Sequence, residues 1–139
     1  MLLLDTHVFL WWLADDDRLE ARVRTRIAAP AEDVVVSAVS VWEIAIKAAL
    51  GKLRLPGSDP ARLDELIPAC GFRELAITAR HATAVATLPS HHADPFDRLL
   101  VAQARAERAT LVTFDPAMSA YEVPILGRRG PRVSRRGSG

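Results

Sequence analysis

Residues 1–13 read MLLLDTHVFLWWL: an apolar triplet, Leu2 to Leu4, stops at Asp5, and His7 to Leu13 resume as a helix or turn. A run with no polar face reads as a strand covered on both sides, as in parallel sheets. The pattern recurs further on. Val34-Val35-Val36 is β-branched and stiff, which favours a second strand. Residues 37–53, SAVSVWEIAIKAALGKL, then turn helical, with Ser40 as the expected cap and Gly51 closing the helix. Strand followed at once by helix, twice over, points to parallel strands joined by helical crossovers.

The rest of the chain extends this pattern. Residues 15–29, DDDRLEARVRTRIAA, predict a helix with Asp17 and Glu20 in capping-box spacing, Leu19, Val23 and Ile27 on one face, and Pro30 as the stop. Asp59-Pro60 opens a short helix through residues 61–70, ARLDELIPAC. Residues 72–77 predict a strand, residues 78–88 a short helix ended by Pro89, and residues 94–108 a longer helix. Strands at 110–113 and 123–126 follow, separated by a turn at Asp115-Pro116. The expected fold class is α/β, a three-layer α/β/α sandwich around a central, mainly parallel sheet.

At 139 residues the chain has room for one domain. Hydrophobic residues make up 50% and charged residues 25%, a globular balance rather than a disordered one. The formal net charge of +1 conceals an uneven distribution. Residues 127–139, GRRGPRVSRRGSG, hold five arginines and no acid, which leaves 13 basic against 17 acidic residues in 1–126. The chain therefore divides into an acidic domain, 1–126, and a basic tail, 127–139, expected to be flexible. A single cysteine, Cys70, provides neither an internal disulfide nor a cysteine-rich zinc site. The apolar start has no basic n-region and is interrupted by Asp5 and His7, so it does not read as a signal peptide. No run approaches the roughly 18 apolar residues of a membrane span. A soluble, cytoplasmic protein is expected.

In a parallel sheet ligands collect beyond the carboxyl ends of the strands. Asp5 ends the first strand, Asp115 follows the strand at 110–113, Glu43 lies a short step beyond Val34 to Ser37, and Asp94 and Asp97 open a further helix. Carboxylates converging on one crevice repel one another unless a cation neutralises them, which is the signature of a Mg²⁺ or Mn²⁺ site. The four histidines form no zinc pattern, although His7 and His92 fall near the proposed crevice. Most of these acids also have local readings. Glu43 follows Ser40 in capping-box spacing, Asp94 precedes Pro95 as a helix cap with Asp97 in the first turn, and Asp115 before Pro116 opens a turn. Asp5 has no local capping role of comparable quality.

The stretches MLLLDTHVFLWWL, SAVSVWEIAIKAALGKL, HHADPFDRLLVAQA and LVTFDPAMSAY, in that order, resemble the PIN-domain family, and within it the VapC-like ribonuclease toxins of bacterial toxin–antitoxin pairs. The resemblance covers residues 1 to about 126. It implies four family acids at Asp5, Glu43, Asp97 and Asp115, with Thr6 and Thr113 as accompanying hydroxyls and Asp94 as an additional acid beside the third. It also implies a Mg²⁺-dependent endoribonuclease, a homodimer, and a cognate antitoxin protein that blocks the acidic groove. Metal-activated water would hydrolyse the RNA phosphodiester, with the metal on Asp5, Asp97 and Asp115 and with Glu43 holding a second ion or orienting the water.

Lys47, Lys52 and Arg98 are the candidate phosphate contacts, with solvated helix faces as their other reading. Trp11, Trp12 and Trp42 suit core or dimer packing or base stacking. Two other functions fit the same residues: an inactive protein- or RNA-binding module, and a metal nuclease acting on DNA.

Overall fold

A computed structural model describes residues 1–91 and 93–128. Five strands form one fully parallel sheet: β1 (Leu2–Leu4), β2 (Val34–Ser37), β3 (Arg73–Leu75), β4 (Thr110–Thr113) and β5 (Ile125–Gly127). The strand order is β3-β2-β1-β4-β5. The helices are α1 (Thr6–Ala14), α2 (Ala21–Ala28), α3 (Ala38–Ala49), α4 (Leu63–Ala69), α5 (Ala79–Ala84) and α6 (Pro95–Glu107). Short 3-10 turns cover Pro60–Arg62, Val85–Thr87 and Pro116–Ala120. Among the described residues no helix is long and apolar enough to cross a membrane.

The apolar triplets are explained by a sheet buried on both faces. Leu2, Leu4, Val34, Val36 and Val112 point into one core, filled by Val8 and Phe9 of α1, Val23 and Ile27 of α2, and Leu63 and Ile67 of α4. Leu3, Val35 and Leu111 point the other way, against Leu100, Val101 and Ala104 of α6. Successive strand residues face opposite sides, so each strand must be apolar throughout. α3 serves both layers, with Ile44 in the first core and Val39 in the second. The result is the expected α/β/α sandwich. The chain runs outward from β1 to β2 and β3, then returns to place β4 on β1's other side, so the topology reverses between β1 and β4. In open α/β sheets that reversal opens a crevice at the carboxyl ends of the strands.

Three local expectations are corrected. The cap of α3 is Ser37, whose hydroxyl accepts from the Val39 N–H at 3.0 Å, and Ser40 lies inside the helix, so no Ser40–Glu43 capping box exists. α2 begins at Ala21 after Glu20, whose side chain makes no cap bond, and the expected Asp17–Glu20 box is absent. The last strand begins at Ile125 rather than Val123 and continues through Gly127, into the segment first read as tail. The remainder of the basic tail, residues 129–139, lies outside the described residues.

Candidate active site

β1 ends at Leu4 and α1 begins at Thr6, so Asp5 must serve strand and helix together. Its N–H extends the ladder to the Val112 carbonyl at 2.9 Å, and its own carbonyl accepts from Val8 and Phe9, both at 3.1 Å. The side chain is enclosed, and the whole residue is 2% exposed. Oδ1 accepts from the Thr6 N–H and Oδ2 from the Thr113 hydroxyl, each at 2.7 Å. Burial holds the Asp5 carboxyl above its ordinary value of 3.8; the nearby Glu43 carboxylate adds to the rise, while His7 and the Thr113 and Thr6 donors oppose it.

Glu43 reaches the same crevice from the second turn of α3 and is also buried. The Thr6 hydroxyl donates to its Oε1 at 2.7 Å and lies 3.0 Å from the Ser40 hydroxyl. Its Oε2 meets Lys47 Nζ at 2.5 Å, one helical turn on, and this bond raises the Lys47 ammonium above its ordinary value. Asp94 caps α6, with Oδ1 accepting from the N–H groups of Phe96 at 2.8 Å and Asp97 at 3.2 Å. That cap fixes the first turn, from which Asp97 projects. Asp115 follows β4 and caps the 3-10 turn through the Ala117 N–H at 2.9 Å, while its own N–H donates to Thr113 Oγ1 at 3.1 Å.

These elements bring Asp5, Glu43, Asp94, Asp97 and Asp115 to the wall of one cleft of about 230 Å³, with Lys47 as its basic residue. Thr6 lines it too, and Thr113 supports it from beneath. Capping and cleft formation therefore coexist in Asp94 and Asp115. Lys52 is exposed on the loop after α3, outside the cleft lining. Arg98 is turned toward the carbonyls of Val85, Leu88 and Pro89 at 2.9–3.4 Å. His92 lies outside the described residues.

Among the described residues no three His, Cys, Asp or Glu side chains converge closely enough to hold a metal ion as they stand. The donor chemistry nevertheless suits a hard cation: the acids offer oxygen ligands only, and two of them, Asp5 and Glu43, are buried beside each other with Lys47 balancing only the second. A divalent ion held there would relieve that charge.

Two contributors were not legible as such in the sequence. His7 accepts the Phe114 N–H on Nε2 at 3.1 Å and presents Nδ1 to Asp5 Oδ2 at 3.4 Å, so the ring braces the ends of β1 and β4. Gln103, fully buried, accepts from the Ser37 hydroxyl at 2.5 Å and donates to the Ala76 carbonyl at 3.3 Å. It thereby ties α6, which carries Asp97, to the cap of α3, which carries Glu43. The glutamine in the motif 97–104, DRLLVAQA, was a usable signal, because an amide within an apolar helical face demands partners.

Comparison with known proteins points to one family. The model of the PIN domain family matches residues 2–124. Ribonuclease VapC22 of Mycobacterium tuberculosis is 35% identical over 124 residues, covering 88% of this chain and 93% of that protein. The crystal structure of FitAcB from Neisseria gonorrhoeae contains a chain 26% identical, with a TM-score of 0.66 over 91% of this chain and 97% of the other. A toxin–antitoxin complex from Klebsiella pneumoniae contains a chain of the same fold at 14% identity, with a TM-score of 0.62 over 94% of this chain and all of the other.

Proposed function

The chain belongs to the PIN-domain family, in its VapC-like branch of nuclease toxins, and on that premise we propose that it is a Mg²⁺-dependent endoribonuclease acting as the toxin of a toxin–antitoxin pair. The observation that carries this reading is the single cleft lined by Asp5, Glu43, Asp94, Asp97 and Asp115, at the point where the sheet topology reverses. RNA as the substrate is supported by the relative that is itself a ribonuclease. A cognate antitoxin protein and a homodimeric assembly complete the proposal; the Klebsiella neighbour comes from a toxin–antitoxin complex.

Asp5, Asp97 and Asp115 would hold Mg²⁺, or Mn²⁺ in its place, with Glu43 and Asp94 beside them. When bound, such an ion would supply positive charge for the scissile phosphate and acidity for the attacking water. The chain's own groups do the rest. Thr113 and the Thr6 N–H fix both oxygens of Asp5, so its carboxylate enters the reaction already oriented. Glu43, held through Oε1 by Thr6, can orient the attacking water and accept its proton through Oε2 once Lys47 moves off. Lys47, so released, faces a phosphate oxygen in the cleft. Attack by water with the P–O3′ bond breaking, the departing 3′-oxygen taking up a proton from solvent, leaves a 5′-phosphate and a 3′-hydroxyl.

The test uses purified chain freed of any partner, with labelled RNA and DNA of the same sequence and Mg²⁺ or Mn²⁺. Endonucleolytic cuts in RNA that disappear in Asp5→Asn support the proposal. Cleavage of DNA alone would reassign the substrate, and cleavage of neither above the Asp5→Asn background would leave a binding module.

A further inference from the structure

We propose that the guanidinium of Arg18 is a stacking plate for one nucleobase of the RNA substrate, in a second groove that opens directly from the carboxylate cleft. This rests on the ribonuclease reading above and gives it a base-binding subsite. The groove has a volume of about 340 Å³ and shares His7, Leu10 and Leu53 with the cleft. Trp11 of α1 and Leu55 of the loop after α3 line it. Through these shared walls a strand with a phosphate in the cleft can place its neighbouring nucleotide here.

Arg18 is held there as a flat, oriented surface. Its guanidinium carbon lies over the Trp11 ring, 5.0 Å from the centroid. Its Nε and Nη2 fork onto the Asp16 carboxylate at 2.7–3.2 Å, and its backbone N–H donates to the same carboxylate at 2.9 Å. Asp16 thus takes Nε and Nη2, Trp11 lies against the guanidinium carbon, and the Arg18 side chain, 70% exposed, lines the groove. Trp11 is itself braced by Phe114 at 5.5 Å and His7 at 4.8 Å between ring centroids. A guanidinium fixed in this way has little freedom left to lose, and planar cationic faces stack bases of any identity.

Charge favours a nucleotide over an apolar occupant. Arg54 lines the same groove, exposed and without an ion pair among the described residues, where it can meet the next phosphate of the strand. With Arg18 paired to Asp16 of the same groove, Arg54 is left as its net positive charge beside a cleft of carboxylates. It adds a phosphate contact to the one that Lys47 offers in the cleft.

The deciding experiment is a double-mutant cycle on the full chain. Wild type, Arg18→Lys and Arg18→Ala are assayed with an oligoribonucleotide cut at one site and with versions carrying an abasic residue at each flanking position. Arg18→Lys keeps the charge and removes the plane. The expected result is a rise in KM of about tenfold for either variant, the same rise for wild type at one abasic position, and no further rise when variant and abasic residue are combined. Unchanged KM in Arg18→Lys, or additive losses at every position, overturns the stacking plate while the ribonuclease reading stands. A loss of affinity for an antitoxin peptide with RNA cleavage intact overturns it in favour of a protein occupant. If wild type cuts no RNA at all, the ribonuclease reading fails and takes the subsite with it.

Discussion

The Thr6 hydroxyl donates to Oε1 of Glu43 at 2.7 Å, joining the first residue of α1 to the second turn of α3 across the ends of β1 and β2. Because the Thr6 N–H also holds Asp5, one residue orients both buried carboxylates.

Thr6→Val keeps the shape and backbone donor but leaves Glu43 Oε1 without its hydroxyl. A loss of about 1–2 kcal/mol in urea unfolding is expected, together with at least a tenfold fall in RNA cleavage. Thr6→Ser restores the donor and should recover most of both.

Asp5 gives a pH signature. Its carboxyl is raised in the folded chain, so the native state binds more protons than the unfolded state once pH exceeds the ordinary 3.8. Stability from this group is complete below 3.8 and is lost as pH rises through the higher folded value. Asp5→Asn removes the titration, so its melting temperature relative to wild type should climb from pH 4 toward neutrality in chelator. Mg²⁺ or Mn²⁺ should narrow the gap by compensating the charge in wild type alone. A constant gap across that range would contradict the burial argument.

Cation uptake is read by calorimetry with Mn²⁺. Wild type should bind it, and Asp97→Asn should bind at least tenfold more weakly. Lys47→Met should behave in the opposite sense: without the ammonium on Glu43 Oε2, the apo chain melts lower and gains more from Mn²⁺ than wild type does. Equal gains in the two would show that Lys47 and the metal do not compete.

Gly127→Ala probes the support behind Asp5. Gly127 has φ of +127°, and an added Cβ would overlap the backbone carbonyl of Thr113, whose side chain holds Asp5 Oδ2. Both the φ and the overlap oppose substitution. A destabilisation of about 2–3 kcal/mol or more is expected, with activity falling even at temperatures where the variant stays folded. Wild-type melting and cleavage would remove this role from Gly127.

The fold was legible where a local rule and the tertiary fold demand the same thing. Val34 to Val36 are β-branched and uniformly apolar, which suits both an extended backbone and a sheet covered on two sides. Placement of Asp5 at the strand end followed from the same reasoning, and the proximity of Asp115 and Glu43 followed from the parallel topology. Local rules failed where two similar residues compete. Ser37 and Ser40 are equally good caps by type; Ser37 prevails because it ends β2 and its hydroxyl meets Gln103 from a distant helix. Asp17 could not cap α2, because the chain turns again before Ala21, with the Leu19 N–H bonded to the Asp16 carbonyl at 3.0 Å. His7 could be placed near the site but not given a task, since its partner is the backbone of Phe114, on the far side of the chain's length. The turn of Arg98 toward three carbonyls before α6 was equally hidden, because backbone acceptors leave no mark in a sequence.

Sheet order also governs when the cleft can exist. β1 is translated first and occupies the centre, but its second neighbour begins only at Thr110, and Asp5 Oδ2 waits for Thr113, 108 positions later. Such long loops must close before their contacts repay the entropy. A chain still on the ribosome therefore carries its first carboxylate without the hydroxyl that orients it and without Asp115. The cleft is complete only once β4 and Asp115 have been made. A chain cut short before β4 lacks both the hydroxyl that orients Asp5 and the carboxylate of Asp115, so the same strand order that builds the cleft also delays it.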